Sequence, residues 1–368
     1  MAHDTSSLAP RFLIPLILLG CSSSSSAPGE GNDGGTAGND TGGTDEEDSG
    51  TDEKSGGEAS PHDSTSDALS AACTVTAVDA ACPTTVAPPA GSTCKEVTIT
   101  ACPDTPSDTI GAIIAIVEPT GAAVGTIVQL KGGGGEGWYT LGSDQYRSKG
   151  FRQVFVSWKS DWEQTTSAGI KAGAARPAAL LRWIFTTIHG ADRSKAFCGQ
   201  GHSGGSAQLG YALAHYGLGD IFDYVNELAG PPFSRIDLGC DGNAPATAVV
   251  CDATVTMRLP SKVGSWENIP APYTCGGTDA PPSEIDRWKN DSIAVGGVYD
   301  YLKTDVEFFD CTYNATAVTG MAQLYEQAIT SKTNFHCYSE ADGCNGEGLG
   351  SGGDDAINTL LAGCKPSP

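Results

Sequence analysis

Short apolar runs alternate with longer amphipathic runs from about residue 109 to the end of the chain. The short runs are bounded by Gly or Pro and therefore predict buried strands. These predicted strands begin at or near Thr109, Gly125, Phe151, Lys195, Phe222, Asp305 and Asn334. The longer runs have an apolar face and predict helices. The predicted helices begin at Ala178, Ser206, Met321 and Asp354.

Strands that alternate with helices predict an α/β fold, with a mostly parallel sheet and helices on both faces. We expect one such domain over residues 71–368. Inside it, residues 238–290 are rich in Gly, Pro and Cys and predict an irregular excursion over the sheet.

The start of the chain follows another pattern. Arg11 precedes the apolar run Phe12–Leu19, which is too short to span a bilayer and predicts a signal peptide over residues 1–20. The run ends in Leu-Leu-Gly-Cys, which resembles the lipobox of bacterial lipoproteins. The resemblance implies cleavage before Cys21 and a lipid on its sulfur. The alternative is an ordinary secretory peptide with an incidental cysteine.

Residues 21–70 predict a lipidated cysteine followed by a disordered tether. From residue 22 onward this segment has twelve acidic residues, one basic residue (Lys54) and almost nothing apolar, so it cannot bury enough surface to offset its ordering entropy. Much of the formal net charge of -23 therefore belongs to the tether. We expect the protein in a bacterial cell envelope, at the outer membrane or cell surface, with the lipid anchor as its membrane contact.

The chain has thirteen cysteines. If Cys21 carries lipid, twelve remain, which allows up to six disulfides in an exported protein. Cysteines cluster at the start of the domain, and Cys337 and Cys344 are close enough in sequence to close a small loop.

A metal site is disfavoured because no C-x-x-C pair occurs, and the scattered 21 basic residues argue against a nucleic-acid partner.

Candidate chemistry is concentrated around Ser203. The sequence Gly201-His-Ser-Gly-Gly205 stands between a predicted strand and a predicted helix. This arrangement resembles the nucleophile elbow of the α/β-hydrolase family, specifically its serine esterases. The resemblance implies a sharp turn that exposes the Ser203 hydroxyl and points the N–H of Gly204 at a developing oxyanion. The alternative is a structural serine in a Gly-rich turn.

A second motif supports the resemblance. Four glycines, Gly132 to Gly135, follow the predicted strand at Gly125, and Gly133 precedes Ser203 by 70 residues. α/β-hydrolases place a Gly-rich loop at about this spacing, which implies that Gly133 supplies a second oxyanion-hole N–H. Lys131 stands where many relatives have a histidine.

The same glycines also satisfy G-x-G-x-x-G, with Asp161 roughly twenty residues further on. A dinucleotide site is disfavoured, because the next segment predicts no crossover helix and an exported chain lies away from soluble cofactor pools. We therefore expect no nucleotide, and no cofactor of any kind.

A serine nucleophile needs a base and an orienting acid, in the chain order Ser, acid, His. His336 is the one histidine after the elbow helix. Asp310 is the predicted acid, with Asp237 and Asn314 as alternative occupants of that position. The loop of Gly343–Gly348, where the family has its histidine, contains none.

Two functions follow. The first is an exported, lipid-anchored serine hydrolase that cleaves carboxylic esters through an acyl-serine intermediate, with Ser203, His336 and Asp310 as its triad. The second is a catalytically impaired surface lipoprotein of the same fold, with a binding or scaffold role.

Overall fold

The computed structural model describes residues 73–313, 317–345 and 348–367, and all of them lie in the compact unit Asp63–Pro368. The predicted signal peptide, Cys21, the tether and Asn314 lie outside the described residues. Among the described residues, no helix combines the length and the apolar character needed to cross a membrane.

Nine of the strands in the described chain form one sheet, and two more form a separate hairpin. The strands are β1 (Thr74–Ala80), β2 (Thr93–Thr100), β3 (Ile110–Val117), β4 (Gly125–Leu130), β5 (Phe151–Trp158), β6 (Ala196–His202), β7 (Tyr224–Leu228), β8 (Thr247–Val250), β9 (Ala253–Thr256), β10 (Asp305–Cys311) and β11 (Thr333–Tyr338). The large sheet has the order β1-β2-β3-β5-β4-β6-β7-β10-β11. The pairs from β5 to β11 are parallel, and the first three strands are antiparallel.

The helices in the described ranges are α1 (Ser143–Ser148), α2 (Ile170–Gly173), α3 (Ala175–Trp183), α4 (Gly204–Tyr216), α5 (Ile236–Cys240), α6 (Val263–Trp266), α7 (Pro282–Asp291), α8 (Ala317–Glu326) and α9 (Gly352–Gly363). A π-helical turn, Ile184–Ile188, continues α3. Helices α3, α4 and α8 cover one face of the sheet, and α1 and α9 cover the other.

Alternate side chains of each central strand pack into the cores on the two faces of the sheet. In β6, Phe197 packs on the α4 face and its neighbour Cys198 packs on the α9 face, because successive strand residues point to opposite sides. Both faces of the sheet are covered, so the central parallel strands β4 and β6 are buried along nearly their whole length. The predicted α/β architecture is confirmed.

The predicted elements from β3 onward are found close to their expected positions, whereas β1 and β2 were not expected. These two strands are half-exposed and mix Thr, Lys and Glu with apolar residues, so they lack a buried apolar run. The excursion of residues 238–290 is also more regular than expected, since it contains the β8–β9 hairpin, α6 and α7.

Six disulfides join the twelve cysteines of the described chain. They are Cys73–Cys102, Cys82–Cys94, Cys198–Cys364, Cys240–Cys275, Cys251–Cys337 and Cys311–Cys344. The small loop expected between Cys337 and Cys344 is not formed: Cys337 lies in β11 and reaches the excursion, while Cys344 reaches the end of β10.

We predict that the Cys198–Cys364 disulfide stabilises the domain more than Cys82–Cys94 does. The first closes a separation of 166 residues and the second one of 12. Loop-closure entropy gives up to about 2 kcal/mol more for the longer loop, as an upper limit because other bridges shorten it. Denaturant unfolding of the two Cys-to-Ala double variants measures the difference. An equal loss of unfolding free energy would contradict it.

Candidate active site

Ser203 lies in a strained turn between β6 and α4. Its backbone has φ 52° and ψ -116°, a conformation that side-chain-bearing residues rarely adopt. The Ser203 N–H donates a 2.8 Å hydrogen bond to the carbonyl of Leu228 at the end of β7, which fixes the turn to the neighbouring strand. Strain of this kind persists where the surroundings over-determine it, and it is typical of active sites.

The glycines around Ser203 are sterically required. A Cβ on Gly201 would lie 2.4 Å from the carbonyl oxygen of Gly205. A Cβ on Gly205 would lie 2.3 Å from the carbonyl oxygen of Leu130, the last residue of β4. The turn can therefore close only because both positions lack a side chain.

The glycine loop touches the elbow. A Cβ on Gly204 would lie 2.2 Å from the carbonyl oxygen and 3.0 Å from the nitrogen of Gly133. Gly133 itself has φ 61°. The Gly204 N–H belongs to the first turn of α4, where amides have no intrahelical acceptor. The structure thus brings Ser203, Gly204 and Gly133 together, in an arrangement that can place two N–H donors beside the serine.

These three residues line a cavity of about 260 Å³. The remaining described walls come from the loop after β5, the loop after β7, the excursion and the start of α8. They are Glu163, Pro232, Phe233, Leu259, Pro260, Val263, Trp266, Ala317 and Val318. The cavity is mostly apolar, so an acyl chain can occupy it.

The structure does not bring His336 to Ser203. His336 lies in β11, and the rung His202, Leu228, Phe309, His336 crosses four strands. With neighbouring strands about 4.8 Å apart, His336 is about 14 Å from β6. Its ring stacks on Phe309 at 4.6 Å, and its Nε2 lies 3.0 Å from a carboxyl oxygen of Glu307.

Asp310 is not placed to orient His336. Phe309, its neighbour in β10, faces the α9 side together with the His336 ring, so Asp310 points to the opposite face. Asp310 is completely buried there beside Glu227, and burial raises the pKa of both carboxyl groups well above their ordinary values.

The alternative acid, Asp237, forms an ion pair with Arg235. Its carboxylate accepts two hydrogen bonds from the Arg235 guanidinium, at 2.8 and 2.7 Å. This bidentate pair occupies both of its oxygens.

The other described histidines have structural partners. His189 donates from Nε2 to the Asp192 carbonyl at 3.0 Å, and His215 donates to the backbone carbonyls at residues 292 and 293. His202 adjoins the serine in the chain, and its ring stacks on Tyr139 at 5.2 Å.

The glycine loop does not lead into a dinucleotide-binding crossover. The next helix, α1, has only six residues. In a dinucleotide site, Asp161 would accept hydrogen bonds from the ribose hydroxyls. Here its carboxylate instead accepts hydrogen bonds from Lys262 at 2.8 Å and from Trp266 at 3.1 Å.

Sequence reasoning missed Glu163, a fully buried residue in the wall of the Ser203 cavity. Burial raises the pKa of Glu163 well above its ordinary value. Its own backbone N–H lowers the pKa, the charge of Asp161 raises it and the charge of Lys262 lowers it. A carboxyl residue in the buried stretch after a central strand is the signal that could have revealed it, because such strand ends border the site in open α/β sheets.

No family model and no curated protein matches the chain. Solved structures with a similar backbone fold include acetyl xylan esterase 1 from a Thermoanaerobacterium species, with 13% sequence identity and a TM-score of 0.48. The superposition covers 80% of this chain and 89% of the esterase chain. An esterase from Pyrobaculum calidifontis has 13% identity and TM-score 0.46, with 73% and 84% covered. A dienelactone hydrolase from Anabaena variabilis has 12% identity and TM-score 0.38, with 80% and 99% covered.

We predict that Gly201→Ala destabilises the elbow. The new Cβ would clash with the Gly205 carbonyl at 2.4 Å, so the unfolding free energy should fall by about 2–4 kcal/mol. The matched control is Gly353→Ala in α9, where the nearest atom is 3.6 Å away. It should be neutral or stabilising by up to about 1 kcal/mol. Denaturant unfolding checks both, and equal stability of the two variants would contradict the steric argument.

Proposed function

We propose that the domain is a serine hydrolase that cleaves carboxylic esters through an acyl-serine intermediate. The observation that carries the proposal is the strained Ser203, held in an apolar cavity beside the backbones of Gly133 and Gly204. A strained backbone conformation lowers the stability of a protein and persists mainly at functional sites, and here it coincides with a cavity.

In this proposal, the Ser203 Oγ attacks the ester carbonyl carbon. The N–H groups of Gly133 and Gly204 stabilise the negative charge on the carbonyl oxygen. The carbon–oxygen bond to the alcohol then breaks, and the alcohol leaves with the proton that the serine loses. Water attacks the acyl-serine, which releases the acid and restores the hydroxyl.

The position of His336 favours a second candidate function. A serine without a positioned base loses several orders of magnitude in rate. A domain with an elbow, a cavity and His336 about 14 Å away could bind an acyl ligand without turning it over. The two candidates share Ser203 and differ in whether its hydroxyl reacts.

We predict a covalent adduct on Ser203 after treatment with a fluorophosphonate. Peptide mass spectrometry should find the adduct in the native protein and in Ser194→Ala, an exposed serine control, but not in Ser203→Ala. His336→Ala should change ester turnover by less than about twofold, because its imidazole lies too far from Ser203 to accept the proton. Absence of the adduct in the native protein would favour the binding function.

We also propose that residues 1–20 are a signal peptide and that Cys21 carries a lipid. The support is the apolar run, the Leu-Leu-Gly-Cys sequence and the acidic segment behind it. In this proposal the domain of residues 71–368 is tethered to the bacterial envelope, at the outer membrane or cell surface, and the lipid is its sole membrane attachment.

We predict that Cys21→Ser abolishes anchoring. Detergent partitioning of the full chain expressed in a bacterium should place the native protein in the detergent phase and the variant in the aqueous phase, since an acyl chain contributes about 0.8 kcal/mol per buried methylene. Metabolic labelling with an alkyne fatty acid gives the direct readout. A labelled Cys21→Ser protein would refute the assignment.

A further inference from the structure

Trp266 is the largest side chain among the described residues that line the Ser203 cavity, and it ends helix α6 of the excursion. It keeps 7% of its surface accessible. Its indole Nε1–H donates a 3.1 Å hydrogen bond to Asp161, a residue that does not line this cavity. The one polar atom of the indole is therefore already bonded, and the surface that Trp266 offers to a ligand is carbon.

The orientation of the Trp266 ring is fixed by its neighbours. The Lys262 ammonium lies 4.8 Å from the ring centre and 2.8 Å from the Asp161 carboxylate. Phe233, also in the cavity wall, meets the Trp266 ring at 5.9 Å between centroids and an interplanar angle of 81°. Cation–π and edge-to-face contacts of this kind restrain a ring to one rotamer. Trp266 is therefore a rigid boundary of the cavity.

The other accessible side chains of the wall are also apolar. Leu259 and Val318 keep 5% of their surface accessible, and Ala317 keeps 4%. Glu163, the one ionisable residue among the described lining residues, has no accessible surface. A charged acyl chain would lose its hydration here without a counter-ion in the described wall. The cavity therefore favours hydrocarbon chains.

The volume of the cavity limits the length of such a chain. At about 30 Å³ for a group of water size, the cavity of about 260 Å³ holds eight or nine groups. With the ester carbonyl at Ser203, an acyl chain of about six to eight carbons fills this space. Each methylene that enters an apolar cavity strengthens binding by about fourfold, so shorter chains lose affinity and longer chains have no room.

We infer that Trp266 sets the maximum length of the acyl chain, so that the site prefers unsubstituted acyl esters of about six to eight carbons. The inference rests on the proposed ester hydrolysis and specifies its substrate class. The acyl group stays bonded to Ser203 after the alcohol has left. A wall of the same cavity therefore contacts the acyl chain in both halves of the reaction.

The test uses p-nitrophenyl esters with even-numbered chains from acetyl to dodecanoyl, each below its critical micelle concentration. In the native protein, kcat/KM should rise by about two- to fourfold per methylene to a maximum at the hexanoyl or octanoyl ester and fall beyond it. Trp266→Ala should move this maximum by about two carbons or more toward longer chains, because it removes the boundary. Trp266→Phe, with a smaller ring, should raise the ratio of the dodecanoyl to the hexanoyl value by about fourfold.

A matched control separates this role from general loosening of the domain. Trp183, a partly buried tryptophan of α3, does not line the cavity, so Trp183→Ala should keep the native maximum. Thermal unfolding shows which variants are folded, and Trp266→Phe decides if Trp266→Ala does not fold. A native maximum at the acetyl ester would overturn the inference. So would a native chain-length profile in every folded Trp266 variant, or an equal change in Trp183→Ala.

A binding arm distinguishes failure of the inference from failure of the proposed function. If the native protein hydrolyses none of the esters and Ser203 forms no adduct, the hydrolase proposal fails. Calorimetry with primary amides from butanamide to decanamide on Ser203→Ala then tests Trp266 alone. Affinity that peaks at hexanamide or octanamide, with a peak at longer chains in Ser203→Ala/Trp266→Ala, supports the role of Trp266. The same length dependence in both proteins, or no binding of any amide, overturns it.

Discussion

The site depends on one close approach of backbone to backbone. The carbonyl of Gly205 and the Cα of Gly201 meet at a distance that excludes a side chain, and Ser203 is held between them. The same packing brings the elbow against the end of β4 and against Gly133, since glycines are required at each of these contacts. The shape of the turn is therefore set by sterics, and the position of Ser203 at the cavity wall is a consequence of that shape.

The surrounding sheet stabilises this turn against its strain. The N–H of Ser203 is bonded to β7, and the N–H of Ala229 is bonded in turn to Phe309 of β10. Parallel strands bring their carboxyl ends to one edge, which is where ligands bind in open α/β sheets. The Cys198–Cys364 disulfide ties β6 to α9 beneath the elbow. The serine is thus fixed by elements that are buried on both faces.

The sequence predicted the parts of the molecule that depend on local patterns. Apolar runs predicted the central strands, and glycine spacing predicted the meeting of Ser203, Gly204 and Gly133. It put His336 in the last predicted strand, but strand order in the sheet is a tertiary property, so the sequence could not show that this strand lies at the edge and that His336 stacks on Phe309. It also missed Glu163 in the wall of the cavity, because the complete burial of this carboxyl residue is a tertiary effect.

The segment that looked irregular in sequence supplies much of the cavity wall. Leu259, Val263 and Trp266 all belong to the excursion of residues 238–290. Two disulfides, Cys240–Cys275 and Cys251–Cys337, fasten this segment. The buried Glu267 adds hydrogen bonds from the Ile170 N–H and the Arg287 guanidinium, at 2.9 and 3.1 Å. Loops on a rigid scaffold commonly carry specificity. Here the sheet positions the Ser203 hydroxyl, and the disulfide-linked excursion forms the cavity wall beside it. In the proposed hydrolase, reactivity and substrate choice would therefore depend on different parts of the chain.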